Sequence, residues 1–367
     1  MGIIIENVTK TIQGVNILNN VNLVVNEGDF SVLLAPTGSG KTTLLRIIAG
    51  IEKPTSGKIY FDGVDVTNLS VQNHNIAMVH QQFVNYPSYT VYENIASPLR
   101  VSKKKYSKKE IDDKVRANAK LLGISGILDA LPEQISGGQQ QRTAIARALI
   151  KGTKYVFLDE PLANLDYKLR EELRGELKLI FRKKGGAMIY ATPEPIDAMG
   201  MASHVGFIYK GEIIQYGPVK EVYKNPKFLE VGEYFSNPTM NILEGKKIEE
   251  NNRQFIKVTN QFKIDVSSVN EKLVKDSYFI GVRAHDISMK NKKDCFVEID
   301  GIVELTEAVG SDTEIHIEHF GKEIIALVDT FVSYEIGETV KLYINPNRFY
   351  IFDKETHKLC AKTGKEN

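Results

Sequence analysis

Residues 30–49, FSVLLAPTGSGKTTLLRIIA, decide the fold of this chain. Phe30–Leu34 is a largely apolar run typical of a buried strand, and Thr42–Ala49 has helical periodicity that stops at Gly50. Between them lies Ala35–Thr42, a glycine-rich loop that ends in Lys-Thr. This order of strand, loop and helix predicts a phosphate-binding loop, because successive backbone N–H groups and the helix N-terminus hold phosphate oxygens.

The residues of this loop have expected roles. Lys41 supplies a mobile cation for the β- and γ-phosphates, and the Thr42 hydroxyl can bind Mg²⁺. The motif asks for glycine at its first position, where this chain has Ala35, so the backbone there must keep a negative φ or the ligand must leave room for Cβ. The expected phosphate-binding set is Ala35, Pro36, Thr37, Gly38, Ser39, Gly40, Lys41, Thr42 and Thr43.

An acidic pair follows a second buried run. Tyr155–Leu158 is apolar, and Asp159 and Glu160 come directly after it. In a protein with a phosphate-binding loop, such an aspartate holds Mg²⁺ directly or through water. The adjacent glutamate is placed to polarise an attacking water. The sequence therefore predicts Asp159 as a metal-binding residue and Glu160 as a catalytic residue.

The pattern of predicted secondary structure changes along the chain. Up to residue 235, short apolar runs such as Ala187–Ala191 alternate with helical patterns, which predicts an α/β fold with a largely parallel sheet. Val205–Tyr209 and Glu212–Tyr216 form an expected hairpin around Lys210-Gly211. From about Phe255, short strands follow one another and predict a small all-β barrel. These strands are Phe296–Ile299, Ile302–Leu305, Thr313–Glu318, Ile324–Val328, Lys341–Ile344 and Phe349–Phe352, with glycine turns that include Gly301.

Composition limits the class of protein. The chain has 367 residues, which suggests two domains. Its 47 basic and 46 acidic residues give a net charge of +1, which does not point to a nucleic-acid or membrane-surface protein, and the tail lacks the basic–aromatic pattern of a nucleic-acid-binding barrel, so we expect no nucleic-acid partner. The cysteines are Cys295 and Cys360, too few for a disulfide scaffold and consistent with a reducing compartment. Neither a signal peptide nor an apolar run of about 18 residues is apparent. We expect a soluble cytoplasmic chain with domains at 1–235 and 246–367, joined by a linker at 236–245.

A third motif indicates the family. Ile135–Arg142, ISGGQQQR, precedes the helical run Thr143–Leu149 and resembles the signature of ABC ATPases. Leu162–Asp166, LANLD, resembles their D-loop, and Gln81 matches their Q-loop glutamine. The motifs stand in the family's order, and the signature has no use in a P-loop kinase, which excludes that class.

The resemblance covers the whole chain. Residues 1–235 look like an ABC nucleotide-binding domain. The tail looks like the TOBE domain, an OB-like regulatory barrel, of sugar-importer ATPases, through the segments GVRAHD at 281–286, GSDTE at 310–314 and YIFD at 350–353.

The resemblance implies a mechanism and partners. In the family, two subunits dimerise head to tail, and ATP lies between the P-loop of one and the signature of the other, here Ser136, Gly137, Gly138 and Gln139, with Asp166 in the D-loop. Glu160 and Gln81 are then catalytic, and Thr42, Gln81 and Asp159 surround Mg²⁺. Dimer closure drives membrane permease subunits, which work with a solute-binding protein, and one permease helix docks near Phe83–Glu93. The chain would lie at the cytoplasmic face of the membrane as a peripheral subunit.

Three positions depart from the family. Where the family stacks an aromatic residue on adenine, this chain has Ile12, and the stretch before Phe30 offers no aromatic substitute. Base–aromatic stacking is worth about 1–3 kcal/mol, so weaker ATP binding is expected. Ala35 replaces the first P-loop glycine. The family's switch histidine is replaced by Pro193, which has no side-chain donor, and His204 begins a different expected strand.

These departures lie on one half-site, whereas the donated signature and D-loop are intact. That pattern fits a heterodimer with one weak site, in an importer of a carbohydrate or polyol. Some glycerol-type importers carry two different ATPase subunits, and one of them resembles residues 191–195, ATPEP, at the switch position. A fully active homodimeric sugar-importer ATPase remains the alternative. A non-transport ABC ATPase is a further alternative, but such proteins usually have tandem cassettes or long coiled-coil insertions, which this sequence lacks.

Overall fold

The fold consists of two compact units. The computed structural model describes residues 2–82, 84–163, 165–184, 186–291 and 297–364. The units are residues 1–219 and 220–367. In the described residues, no helix combines the length and apolar character needed to cross a membrane.

The first unit alternates strands and helices. Its strands are β1 (Gly2–Ile12), β2 (Val15–Asn26), β3 (Phe30–Leu34), β4 (Ser56–Phe61), β5 (Val64–Asp65), β6 (Ile76–Val79), β7 (Tyr155–Asp159), β8 (Ala187–Thr192), β9 (His204–Tyr209) and β10 (Glu212–Pro218). Its helices are α1 (Lys41–Ile48), α2 (Val91–Arg100), α3 (Lys108–Leu121), α4 (Gly137–Leu149), α5 (Tyr167–Lys184) and α6 (Pro195–Met201).

The central sheet of this unit has the order β10-β9-β3-β8-β7-β6. β3, β8, β7 and β6 run parallel, so their carboxyl ends lie at one edge. Every residue of β3, β7 and β8 is buried, as expected for parallel strands covered on both faces. The buried runs predicted from the sequence are these three strands, and the predicted hairpin is β9 and β10. Those predictions are confirmed.

A second, antiparallel sheet, β2-β1-β4-β5, completes the first unit. Helix α1 contributes Leu44, Leu45, Ile47 and Ile48 to a core that also includes β1 residues and Phe157 of β7. The apolar periodicity of residues 42–49 therefore has a direct structural cause, since α1 buries most of its surface. Packing on both sides fixes the position at which α1 begins, and hence the phosphate-binding loop.

The second unit is rich in strands. Its short helices are α7 (Val219–Lys224), which begins at the junction, and α8 (Leu229–Tyr234). Its strands are β11 (Asn241–Glu250), β12 (Arg253–Lys257), β13 (Lys263–Asp265), β14 (Ser277–Val282), β15 (Ile287–Ser288), β16 (Val297–Val309), β17 (Asp312–His319), β18 (Lys322–Val328), β19 (Thr339–Ile344), β20 (Tyr350–Asp353) and β21 (Leu359–Lys362).

Two antiparallel sheets share the core of this unit. Their strand orders are β13-β12-β11-β14-β20-β21 and β15-β19-β16-β17-β18. The core joins residues of both, such as Ile280 of β14 and Ile317 of β17. The predicted fold class, a P-loop α/β domain followed by a small all-β domain, is confirmed.

One turn prediction is wrong. Gly301 was expected to separate two strands, but it lies inside the single long strand β16. A Cβ at this position would lie 2.3 Å from Ile317 Cγ2 of the neighbouring strand. The glycine therefore permits close side-chain packing and does not mark a turn. The predicted strand start at Phe296 and the thiol of Cys295 lie outside the described residues.

The compact units differ from the predicted domain limits at residues 220–235. Leu229 of α8 packs with Met240, Tyr350 and Phe352 in a small apolar cluster of the second unit. This contact groups α8 with the strands that follow it. A helical segment next to a boundary looks the same in sequence whichever side it packs on, and the domain limits 1–235 and 246–367 stay a prediction.

The core around α1 generates a stability prediction. Leu45 is fully buried, so Leu45→Ala should lower the free energy of unfolding by about 3 kcal/mol through lost burial and a residual cavity. Leu179→Ala on α5 is the matched control, because Leu179 is 55% exposed and should change stability by less than about 0.5 kcal/mol. Urea denaturation followed by circular dichroism measures both, and equal losses would contradict the packing described here.

Candidate functional site

The phosphate-binding loop joins β3 to α1, as predicted. Pro36, Thr37 and Gly38 are exposed, and the N-terminus of α1 opens behind them. Gly38 has a φ of 83° and Gly40 a φ of 96°, values that favour glycine. At Gly40 a Cβ would also lie 2.9 Å from Leu18 Cδ2. These two glycines are therefore required by the turn, and they leave backbone N–H groups free to face an anion.

Lys41 lies under this loop with its side chain almost fully buried. Its Nζ donates hydrogen bonds to the carbonyl oxygens of Ala35 (2.8 Å) and Pro36 (2.9 Å) and lies 3.6 Å from Glu160 Oε1. Burial lowers the pKa of Lys41, and the nearby Glu160 carboxylate opposes that shift. The ammonium is thus held among acceptors at the phosphate-binding loop.

Thr42 and Asp159 meet at the carboxyl edge of the sheet. Thr42 Oγ1 donates a hydrogen bond to Asp159 Oδ1 over 2.9 Å. Asp159 is 2% exposed, and burial raises the pKa of its carboxyl despite the hydrogen bond from Thr42. The two residues were predicted from separate motifs, and the parallel pairing of β3, β8 and β7 brings them into contact.

Glu160 and Gln81 also lie together. Gln81 Nε2 donates to Glu160 Oε2 over 3.1 Å, although 79 positions separate the residues. Glu160 has a φ of 44°, and its N–H donates to the Ala191 carbonyl oxygen over 2.9 Å. Left-handed backbone at a non-glycine residue is costly, and strain of this kind concentrates at functional sites. The expected catalytic pair is therefore brought together beside Lys41.

The signature motif forms the start of helix α4. Ser136 is the N-cap: its Oγ accepts from Gln139 N over 3.3 Å, and its N–H donates to Gln139 Oε1 over 3.0 Å. Ser136 and Gly137 are exposed, so this helix N-terminus is open to an anion. A Cβ at Gly138 would lie 2.0 Å from Leu169 Cδ2 of α5, which explains the second glycine by close helix packing.

The expected D-loop residue Asp166 precedes α5. Its Oδ1 accepts a hydrogen bond from Leu169 N over 2.9 Å, so it caps that helix. Asp166 and Ser136 therefore belong to two helices in direct contact through Gly138 and Leu169. Asn164, within the same motif, lies outside the described residues.

The three departures differ in structural effect. Ala35 is fully buried in the core and does not adopt a positive φ, so the loop accepts its Cβ without backbone strain. Ile12 ends β1 and is 45% exposed, which leaves its apolar side chain open to a ligand. Pro193 follows β8, where it lines a cavity of about 220 Å³ together with Glu160, Thr192 and Glu194. As predicted, His204 begins the separate strand β9.

A buried charge network supports this cavity. Asp197 is 1% exposed and accepts hydrogen bonds from Arg174 Nε (2.9 Å), Tyr190 Oη (2.9 Å) and Thr192 Oγ1 (2.8 Å). Burial next to this carboxylate raises the pKa of Tyr190 well above its ordinary value. The network fixes the end of β8. Sequence reasoning missed it, because Arg174 and Asp197 look like ordinary helical charges until tertiary packing joins them.

The same cavity holds a second charged pair. Arg170 Nη1 lies 3.8 Å from Glu194 Oε1, and both side chains line the cavity beside Glu160. Arg170 Nε is buried without a hydrogen-bond partner among the described residues. A positive group thus lies near the position at which the family has its histidine.

A larger groove of about 640 Å³ is lined in part by β6. Its wall includes Met78, Tyr86, Tyr89, Arg147 and Lys151. The guanidinium of Arg147 lies 5.0 Å from the centre of the Tyr86 ring and donates to the Val84 carbonyl oxygen. Burial lowers the pKa of Arg147.

Asn94 organises the loop at the mouth of this groove. It is fully buried, and its Nδ2 donates to the carbonyl oxygens of Tyr86, Tyr89 and Thr90, while its Oδ1 accepts from Tyr86 N. A single amide side chain therefore holds the segment that the resemblance implies as a permease contact. No motif in the sequence pointed to Asn94, and Phe83 lies outside the described residues.

Comparison with known proteins agrees with this geometry. A family profile described as ABC transporter matches residues 18–163. The chain is 34% identical to the alpha-glucoside transport ATP-binding protein AglK of Rhizobium meliloti over 357 residues, which span 96% of this chain and 97% of that protein. This chain belongs to the ABC transporter ATP-binding proteins. Proteins of this family are ATP-hydrolysing transport ATPases, and the assignment of the chain to that class of enzyme is confirmed.

Other relatives are of the same type. The ABC protein is 33% identical to the trehalose/maltose import ATP-binding protein MalK of Thermococcus litoralis, over 97% of this chain and 99% of that one. It is 32% identical to the sn-glycerol-3-phosphate import ATP-binding protein UgpC of Psychromonas ingrahamii, over 96% and 94%. A dimeric post-hydrolysis structure of the ATP-binding cassette MJ0796, bound to ADP and Pi, is 31% identical with a TM-score of 0.55, covering 59% of this chain and 98% of that one.

The site fits the ATP and Mg²⁺ implied by the family. The described residues contain no cluster of three or more His, Cys, Asp or Glu able to hold a metal ion. Mg²⁺ is usually bound by one or two protein oxygens together with substrate phosphates and water. The hydroxyl of Thr42 and the carboxylate of Asp159 supply such a donor set, and Lys41 and the loop N–H groups suit the phosphates.

The raised pKa of Asp159 generates a test. Its folded-state pKa lies above the unfolded value, so ionisation costs stability as the pH rises through the folded-state pKa. Asp159→Asn should therefore be more stable than the wild type, by a margin that grows with pH and then levels off. The same variant should lose about tenfold or more in Mg²⁺-dependent ATP affinity.

Urea denaturation between pH 4 and 8 and nucleotide titrations with and without Mg²⁺ measure these two effects. Asp112→Asn on α3 is the control, because this carboxylate is 40% exposed and lies far along the sequence from the motifs. A destabilised Asp159→Asn, or one with unchanged Mg²⁺ dependence, would contradict the assignment.

Proposed function

We propose that this ABC protein is the energy-coupling subunit of an importer for a carbohydrate or polyol, bound peripherally at the cytoplasmic face of the membrane. The named relatives transport or import alpha-glucosides, trehalose/maltose and sn-glycerol 3-phosphate. The similarity extends over nearly the whole of each protein, including the β-rich second unit. Transmembrane permease subunits, served by a solute-binding protein, are the partners.

The groove beside β6 is the proposed contact with the permease. Exposed tyrosines, Tyr86 and Tyr89, stand at its mouth, with ring centres 5.5 Å apart. A groove with apolar walls and cationic groups such as Arg147 and Lys151 suits an amphipathic helix with an acidic or carbonyl-bearing end. Asn94 ties the tyrosine segment to helix α2 through its hydrogen bonds, so a helix seated in the groove would meet a fixed surface.

The chemistry of the nucleotide site follows from its residues. Bound ATP and Mg²⁺ supply the transferable phosphoryl group and neutralise its charge. Lys41 and the loop N–H groups bind the phosphates, and Thr42 and Asp159 hold the metal. Glu160, fixed by the Ala191 carbonyl oxygen and by Gln81, is positioned to accept a hydrogen bond from an attacking water.

We also propose that this subunit pairs with a second, different ATPase subunit. This proposal rests on a contrast between the chain's own nucleotide half-site and the signature that it would donate to a partner. In its own half-site, Pro193 stands where a histidine would contact the γ-phosphate. In the donated signature, Ser136, Gly137 and Gly138 form a regular helix start. Ile12 adds a second loss, since it cannot stack on a base. Ala35 adds nothing to the argument, because the loop accepts it without strain.

An alternative within the same family is an active homodimer. Arg170 favours it, because its guanidinium lines the cavity beside Glu160 and Pro193 and offers a positive group there. The alternative of a non-transport ABC ATPase receives no support from the named relatives. The two forms of dimer differ in whether the isolated chain hydrolyses ATP.

Restoring the missing groups tests the proposal. The purified chain alone should hydrolyse ATP slowly. Ile12→Tyr combined with Pro193→His should raise kcat/KM for ATP by tenfold or more, since base stacking alone is worth about 1–3 kcal/mol of binding free energy. Pro193→Ala is the matched control, because it removes the proline without supplying a donor. Phosphate release measures the rates. Vigorous, Glu160-dependent hydrolysis by the unmodified chain would support the homodimer instead.

The donated signature has its own test. In the assembled importer, Ser136→Arg should abolish most transport, because a bulky cation at this helix start blocks the partner's nucleotide. Lys151→Ala, in the groove, and Lys220→Ala, outside the described site, serve as comparisons for permease contact and for general effects. Uptake of radiolabelled substrate into proteoliposomes measures transport. Unchanged uptake with Ser136→Arg would show that this signature serves no competent site.

A further inference from the structure

A cavity of about 500 Å³ lies in the second unit, on strands β11, β12 and β18. Its lining includes Glu244, Lys246, Lys257, Asn260, Phe320 and Lys322. We call it the lysine cavity. It lies in the second unit of the chain, and the nucleotide site and the permease groove are formed by residues of the first unit.

The lysines of this cavity are placed against one another. Lys246 of β11 and Lys257 of β12 are direct cross-strand partners, so their side chains share one face of the sheet. Like charges in such a pair destabilise a sheet. Lys263 continues the row opposite Lys257, but its Nζ bonds to Glu250. Among the described residues, Lys246, Lys257 and Lys322 form no salt bridge, and Glu244 is the carboxylate whose charge acts on Lys246 and Lys322.

One carboxylate lines the cavity among its described residues. Glu244 lies two positions before Lys246 and accepts a hydrogen bond from Lys354 Nζ. That bond, with smaller contributions from Lys322 and Lys246, lowers the pKa of Glu244. Since Lys354 already balances Glu244, the cavity keeps a surplus of positive charge.

Phe320 gives the cavity an apolar wall at an unusual position. It is 58% exposed and occupies the first position of the two-residue turn between β17 and β18, with a φ of 49°. Left-handed backbone is disfavoured for bulky side chains and is usually taken by Asn, Asp or Gly. In the described residues, the equivalent positions in the five other two-residue turns hold Gln13, Asp62, Lys210, Asn251 and Gly310, none of which is aromatic. Strain and exposure of an aromatic ring at one place point to a ligand contact.

We propose that the lysine cavity binds a small sugar phosphate. The facing Lys246 and Lys257, joined by Lys322, suit a dianionic phosphate group, because charge-assisted hydrogen bonds to one phosphate would replace their mutual repulsion. Phe320 provides the face on which the sugar ring packs. The volume lies in the range of small-molecule sites. It favours a metabolite over an acidic protein segment, which would need a longer surface.

This site is independent of the function proposed above. Transport specificity in an importer lies with the permease and the solute-binding protein, whereas this cavity belongs to the ATPase subunit itself. A phosphorylated sugar bound here is a ligand of the second unit, and its binding requires neither ATP nor a permease.

Calorimetry on the full-length chain tests the proposal. Saturating Mg²⁺ and ADP occupy the phosphate-binding loop, and glucose 6-phosphate, ribose 5-phosphate, inorganic phosphate and glucose are titrated separately. We expect at least one sugar phosphate to bind, inorganic phosphate to bind more weakly, and glucose to give no signal. Affinity should fall as salt is raised, because the contacts are ionic.

Two variants separate the contributions. Lys246→Ala with Lys257→Ala should weaken sugar phosphate binding by about tenfold or more. The matched control, Lys272→Ala with Lys290→Ala, removes the same charge from exposed positions outside the cavity and should leave binding unchanged. Phe320→Asn should weaken the sugar phosphate but spare inorganic phosphate, and it should raise the melting temperature because Asn tolerates the turn.

Three results would overturn the proposal. The first is the absence of sugar phosphate binding at millimolar concentrations. The second is equal loss with the control pair of lysines. The third is binding only to vesicles that contain an anionic phospholipid, or only to an acidic polypeptide, which would assign the lysines to a different partner. A change in ATP turnover with Pro193→His has no bearing on these results, so the two proposals fail separately.

Discussion

The parallel pairing of β3, β8 and β7 is the constraint on which the nucleotide site depends. The pairing places Leu34 opposite Thr192 and Asp159 opposite Ala191, so three strand ends meet at one edge of the sheet. Helix α1, packed on both sides, then sets the start of the loop that carries Lys41 and Thr42. Hydrogen bonds such as that from Thr42 to Asp159 follow from this register and do not create it.

Local motifs predicted most of the nucleotide site. The loop at 35–42, the acidic pair at 159–160 and the signature at 136–139 each carry their chemistry in a few adjacent residues. The sheet register brings the loop and the acidic pair together, whereas the signature forms the start of α4. The sequence could not reveal Asn94 or the pair of Arg174 and Asp197, because their partners are chosen by tertiary packing. The prediction of a turn at Gly301 was wrong for a related reason. A glycine needed for a close approach between strands cannot be distinguished in sequence from a turn glycine until the opposite strand is known.

The three departures from the family pattern lie in different structural environments. Ala35 is buried in the core, whereas Ile12 is exposed and Pro193 lines a cavity. An expected loss of function at a motif position therefore depends on where its side chain points. The hydrogen bonds that Asp197 accepts from Arg174 and Thr192 hold the end of β8 in place independently of the residue at position 193.

The contact between Gly138 and Leu169 has a mechanical consequence. Helices α4 and α5 approach so closely there that no Cβ fits between them, and each begins at a residue that a neighbouring subunit would touch, Ser136 and Asp166. Any side chain larger than that of glycine at position 138 would push the two helices apart. The spacing between the two helix starts, and hence between the Ser136 and Asp166 side chains, is therefore set by one missing Cβ atom.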